Sequence, residues 1–220
     1  MNFRLRSPEV STQHPPLLVL LHGKGANEDD LFALARHVDP RFLVISLRAP
    51  HEMAPGYYRW YERFDSPHGS IFDEEEIEAS RQWLVQHIAD LVTSSGAAPQ
   101  QVHILGFSQG GAMALALALT EPRMVQSVVS IAGRLLAACT AQAAPATAMQ
   151  HLNLLLQHGS QDEVVACSES VTACKYFSKK GAAADLKEYA TGHTISPAML
   201  KDALDFLSGQ LDGEIPRTDA

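Results

Sequence analysis

Cysteine is scarce in this chain. Its 220 residues hold three, Cys139, Cys167 and Cys174. An odd count without metal-ligand spacing supports neither a disulfide framework nor a metal centre. Cys167 and Cys174 lie seven residues apart on an expected helix and read as small buried hydrophobes. Long apolar runs are missing too, and no stretch approaches a membrane-spanning helix. The early run 17–21 is too short for a signal-peptide core and is bounded by Pro16 and His22. Together with the few cysteines, this makes a cytoplasmic protein without stable membrane insertion the expectation. Positive charge is in deficit: 17 Lys and Arg against 25 Asp and Glu give a net charge of −8. That argues against nucleic acid as a partner, because phosphate binding needs clustered cations.

What remains is a soluble globular composition, 46% hydrophobic and 19% charged. One domain is expected over residues 1–208, with a loose tail over 209–220 where the hydrophobic pattern lapses. The continuous apolar run 17–21 and the segment 42–47 read as buried strands, and 125–131 and 152–157 as further strands. An edge strand at 3–6 and a short strand at 186–189 join them. Helical patterns fall at 28–38 behind the cap Asn27, at 73–95, at 166–180, and from Pro197 to about residue 206. This alternation predicts an α/β fold: a mostly parallel sheet with helices on both faces. Residues 49–72 interrupt it with Pro50, Pro55, Pro67, Gly56 and Gly69, and read as a long irregular loop. Six aromatics crowd into that loop, Trp60, Tyr61 and Phe64 among them.

The stretch Val102-His103-Ile104-Leu105-Gly106-Phe107-Ser108-Gln109-Gly110-Gly111 carries the chemistry. Strand, small-residue turn and Ala/Leu helix follow one another, with Gly-x-Ser-x-Gly at the turn. That is the layout of a nucleophile elbow, in which a tight turn lifts a serine hydroxyl above the sheet. A serine needs a base, and the base an orienting acid, in the chain order Ser, Asp or Glu, His. Beyond residue 162 the one histidine is His193, just past a strand and after Gly192. Asp162, past strand 152–157, stands where the acid belongs, with Glu163 as a close competitor. The oxyanion donors would be the backbone N–H of Gln109 and that of Lys24, or a neighbour, in His22-Gly23-Lys24-Gly25. His22 reads as a structural hydrogen-bonding residue. Trp60, Tyr61 and Phe64 are candidates for the substrate pocket, with packing over the sheet edge as the other reading.

The strings Leu21-His22-Gly23-Lys24-Gly25, Gly106-Phe107-Ser108-Gln109-Gly110-Gly111, His158-Gly159-Ser160-Gln161-Asp162-Glu163-Val164-Val165 and Gly192-His193 resemble the phospholipase/carboxylesterase family. That family holds small α/β-hydrolases, including bacterial carboxylesterases and acyl-protein thioesterases. The resemblance spans roughly residues 17–208 and implies an α/β-hydrolase fold in one domain, without a large lid. It implies Ser108 as nucleophile, Asp162 as acid and His193 as base, with oxyanion donors at Lys24 and Gln109. Lys24 stands where the family often has a hydrophobic residue, and Ala166 where it has proline. The expected activity is that of a serine carboxylesterase cleaving short to medium acyl esters, with neither metal nor organic cofactor. The alternatives are an acyl-protein thioesterase or lysophospholipase, or a non-catalytic ligand-binding protein on the same scaffold. The expected partner is a small-molecule ester or thioester. Apolar surface on the loops would suit a homodimer interface or a membrane-skimming edge. Specificity would come from 50–72 and 134–150.

Overall fold

Every other residue of a strand faces the same side, so five apolar residues in a row demand cover on both faces. The computed structural model, which describes residues 2–66 and 69–213, meets that demand. Strand β1 (Phe3–Arg6) is followed by β2 (Leu17–Leu21), helix α1 (Glu28–Phe32) and β3 (Leu43–Leu47). Two hairpins come next, β4 (His51–Ala54) with β5 (Tyr57–Arg59), and β6 (Arg63–Ser66) with β7 (Gly69–Phe72). The long helix α2 (Glu74–Ser95), β8 (Val102–Phe107), α3 (Gln109–Thr120), β9 (Ser127–Ile131) and the short α4 (Ala137–Thr140) lead to β10 (Asn153–Gly159). The chain closes with α5 (Cys167–Lys179), β11 (Ala183–Tyr189) and α6 (Pro197–Asp212).

Seven strands form the main sheet in the order β1-β3-β2-β8-β9-β10-β11. All pairings are parallel except β1 with β3. Leu17, Val19 and Leu21 face the α2, α3 and α5 side, while Leu18 and Leu20 face α1 and α6. Each such leucine, fully buried, contributes roughly 1.5–3 kcal/mol relative to exposure. The fold is therefore the single-domain α/β-hydrolase architecture without a large lid. Strand order reverses between β2 and β8, and the crevice beyond their carboxyl ends is where such sheets place a site. No helix among the described residues is long and apolar enough to cross a membrane.

Four expectations need correction. The helix expected over 28–38 stops at Phe32 and is followed by a tighter 3-10 turn at Ala35–His37. Arg6 explains the change: its guanidinium donates to the carbonyls of Ala35, Val38, Asp39 and Phe42, which binds this segment to β1. Residues 49–72 are two hairpins rather than an irregular loop. Gly56, at φ 85° after Pro55, makes the first turn. The last helix runs to Asp212, where Gly213 caps it at φ 71°, and residues 214–220 of the expected tail lie outside the described residues. Cys139 is buried, but Cys167 and Cys174 are only partly so.

Candidate active site

At the end of β8 the chain turns into α3 through a single residue, Ser108, at φ 53° and ψ −115°. Non-glycine residues avoid this region, so the conformation holds roughly 1–3 kcal/mol of strain. The glycines on either side are needed for contact. A Cβ on Gly106 would stand 2.2 Å from the Gly110 carbonyl oxygen, and one on Gly110 would stand 1.9 Å from that of Leu21. The first turn of α3 thus lies directly on the end of β2.

His193 stands across from the elbow. Its Nε2 is 3.0 Å from Ser108 Oγ and its Nδ1 is 2.7 Å from Asp162 Oδ2. The Asp162 side chain is fully buried, and its other oxygen accepts the Val164 and Val165 N–H groups, each at 2.8 Å. Glu163 is exposed. The two loops meet because Gly159 has no side chain: a Cβ there would lie 2.3 Å from the Thr191 carbonyl oxygen. Bonds from Ser160 N to Tyr189 O and from Gln161 N to Thr191 O hold them together.

The loop after β2 lies against the elbow as well. A Cβ at Gly23 would stand 3.6 Å from that of Ser108. Among the described residues, neither the Lys24 nor the Gln109 backbone N–H has a protein acceptor. The Lys24 ammonium pairs with Glu62 at 2.6 Å. His22 is buried and neutral in its bonding. Its Nε2 accepts the Ala49 N–H at 3.0 Å, so Nδ1 carries the proton given to Gly23 O at 2.7 Å, and burial lowers its pKa.

The three aromatics read as pocket candidates separate. Trp60 does not line the cavity. It is fully buried, with its indole Nε1 donating to His22 O at 2.8 Å. Phe64 is 55% exposed on the second hairpin, opposite Ile71. Tyr61 alone borders Ser108, in a pocket of about 280 Å3 counted with its open mouth. Phe72, Ala132 and Val165 complete the apolar wall, and Arg63 and Arg134 the polar one. Phe72 and both arginines lie in the stretches 50–72 and 134–150 expected to set specificity, but the sequence does not single them out. Nor does it single out the Gln109 side chain, which accepts the Trp60 N–H at 3.1 Å and donates to the Tyr61 carbonyl at 2.7 Å. That amide clamps the hairpin segment onto the elbow.

Sheet order, elbow and the convergence of loops define an α/β-hydrolase. The model of the Phospholipase/Carboxylesterase family matches residues 5–211, and the chain belongs to that family. It is accordingly a hydrolase of the esterase and thioesterase type. Esterase YpfH of Escherichia coli (strain K12) is 26% identical over 213 residues, covering 94% of this chain and 87% of that protein. The crystal structure of esterase PE8 superposes with a TM-score of 0.78 at 28% identity, covering 93% of this chain and 96% of that one. A Bacillus cereus carboxylesterase shares the fold, with a TM-score of 0.82 at 21% identity over 96% of this chain and 94% of that one.

Proposed function

We propose that the protein is a serine carboxylesterase acting on short to medium acyl esters, with Ser108, His193 and Asp162 as its catalytic residues. The observation that carries this reading is the bridge made by His193, 3.0 Å from Ser108 Oγ and 2.7 Å from Asp162 Oδ2. Ser108 Oγ attacks the ester carbonyl while its proton passes to His193 Nε2. The Lys24 and Gln109 N–H groups, free of protein acceptors among the described residues, receive the oxyanion. The C–O bond to the alcohol then breaks, and the imidazolium returns its proton to the leaving oxygen. Water, deprotonated by the same nitrogen, attacks the acyl-enzyme and releases the acid.

Tyr61 and Phe72, ring to ring at 5.8 Å, form one wall of the acyl site. The modest pocket supports short chains. The test is a panel of p-nitrophenyl esters and matched thioesters of rising acyl length, run on wild type and Ser108→Ala. Loss of about a thousandfold or more in kcat is expected for the variant. Equal turnover in both proteins would sink the mechanism, and the thioester arm decides between esterase and thioesterase.

A further inference from the structure

We infer that the pocket beside Ser108 takes an ester whose acyl chain ends in a carboxylate, held by the guanidinium of Arg134. The inference rests on the esterase reading above and adds the charge of the substrate.

Arg134 follows the end of β9, where Ala132 takes a φ of 52°. Ala132 and Ser108 are the non-glycine residues at positive φ among those described, and both border the pocket. The backbone is thus bent at the point that brings Arg134 into the wall. The Arg134 side chain is only 15% exposed. Its ion-pair partner, Glu169 Oε1, stands 3.6 Å away on a side chain that is 37% exposed. The Phe72 ring lies beneath the guanidinium, 5.2 Å from the guanidinium carbon to the centroid.

A guanidinium presents five N–H donors in a planar fork. In Arg134 the protein engages that fork through the stretched pair with Glu169, which leaves donors open to the pocket. A carboxylate accepts two parallel N–H bonds from the fork, which is the geometry the pocket leaves unused. Arg63 lines the same pocket, with Nη1 donating to the Val164 carbonyl at 3.5 Å. Among the described residues, no acidic side chain lines it. The Tyr61 hydroxyl registers this field: burial pushes its pKa up, and Arg134 and then Arg63 draw it back. The wall is therefore apolar near Ser108 and cationic beyond, which matches a short acyl chain with an anionic end.

The test compares kcat/KM for mono-p-nitrophenyl adipate with that for neutral p-nitrophenyl hexanoate. A third substrate, the hexanoyl ester of 4-hydroxybenzoate, puts the charge on the alcohol instead. Wild type is expected to favour the adipate, and raising salt from about 50 to 500 mM is expected to shrink that preference. In Arg134→Gln the adipate-to-hexanoate ratio should fall by about ten- to a hundredfold. Arg134→Lys should recover part of it, because the charge returns without the fork. Glu169→Gln, which removes the competing carboxylate, should raise the ratio. A ratio that neither Arg134→Gln nor salt moves overturns the inference, as does a stronger preference for the hydroxybenzoate ester. Ser108→Ala separates the two levels. If it retains turnover, the esterase reading fails; if it is inactive while the ratio stays unmoved in Arg134→Gln, only the charge inference fails.

Discussion

His158 Nε2 stands 3.3 Å from Asp162 Oδ2, and neither side chain is exposed. The same nitrogen faces the Val165 carbonyl at 2.9 Å, so it carries the ring proton, and Nδ1 is left to accept from Ser170 Oγ at 2.7 Å. The carboxylate thus has a buried histidine on one flank, His193 on the other, and two backbone N–H groups beneath. Burial pushes its pKa up. The Val165 N–H, then His193 and the Val164 N–H, outweigh that and hold it below the usual carboxylate range.

Ionised Asp162 therefore persists below the pH of an ordinary aspartate, about 3.9. A carboxylate with a lowered folded pKa stabilises the protein above its unfolded value, and that contribution is lost as pH falls through the folded one. Asp162→Asn should keep the fold by circular dichroism but lower kcat by about a thousandfold or more, because the His193 tautomer is no longer fixed. Glu163→Gln should stay within about twofold. The reverse pattern would move the acid to Glu163.

Gly110→Ala should be among the most damaging single-methyl changes in the protein. The new Cβ would fall 1.9 Å from the Leu21 carbonyl oxygen, and backbone cannot swing aside as a flexible side chain does. A cost of about 3 kcal/mol or more is expected, lowering Tm by roughly 6–12 °C. Gly192→Ala, whose Cβ would meet Gln161 O at an ordinary 3.6 Å, should leave Tm nearly unchanged. Thermal melts of the two variants make the comparison.

Trp60→Phe should act on turnover from inside the core. It removes the donor to His22 O and leaves that carbonyl buried and unpaired, next to the loop that carries Lys24. Stability should drop by about 1–3 kcal/mol. kcat should fall by about tenfold with KM little changed, a fraction of what deleting an oxyanion donor outright costs. A rise in KM at constant kcat would instead make Trp60 a substrate contact.

His103 gives the fold its own acid sensitivity. Burial pushes its pKa from 6.5 down to about 4. Nδ1 meets Ser127 Oγ at 2.7 Å, while Nε2 is buried without a partner among the described residues. Below pH 6.5 the unfolded chain takes up a proton that the folded one refuses, so stability falls between pH 6.5 and 4 by up to about 3 kcal/mol. His103→Leu should flatten that part of the stability profile in urea titrations at stepped pH. An unchanged slope would assign the acid sensitivity to other groups.

The features legible in the sequence were those with short-range signatures. An uninterrupted apolar run announced β2, largely apolar segments announced β3 and β10, and the glycines around Ser108 announced the elbow. Chain order alone singled out His193, and position past β10 favoured Asp162. The hairpins escaped notice because Pro55 and Gly56 serve equally in a hairpin turn and in irregular chain. Trp60 read both as a pocket candidate and as packing over the sheet edge, because neighbouring loop residues gave no sign of its bond to His22. Arg134 escaped for a related reason. Four strand ends drew attention through histidine, serine and glycine, whereas the end of β9 runs straight into an alanine-rich stretch that hid a charged residue at the same level of the sheet. Arg6, which reshapes the helix after Asn27 from β1, lies far from its targets in sequence.

The order of the strands also divides the candidate site mechanically. Ser108 rises from β8 at the centre of the sheet, whereas His193 hangs from the loop after β11, the outermost strand, which has no neighbour on its far side among the described residues. Edge strands open at lower free energy than central ones. Fraying of β11 would carry the imidazole away while the serine stays seated, so heat should extinguish turnover at a lower temperature than it melts the helices. The enzyme would then be inactivated reversibly at its rim before it is denatured at its core.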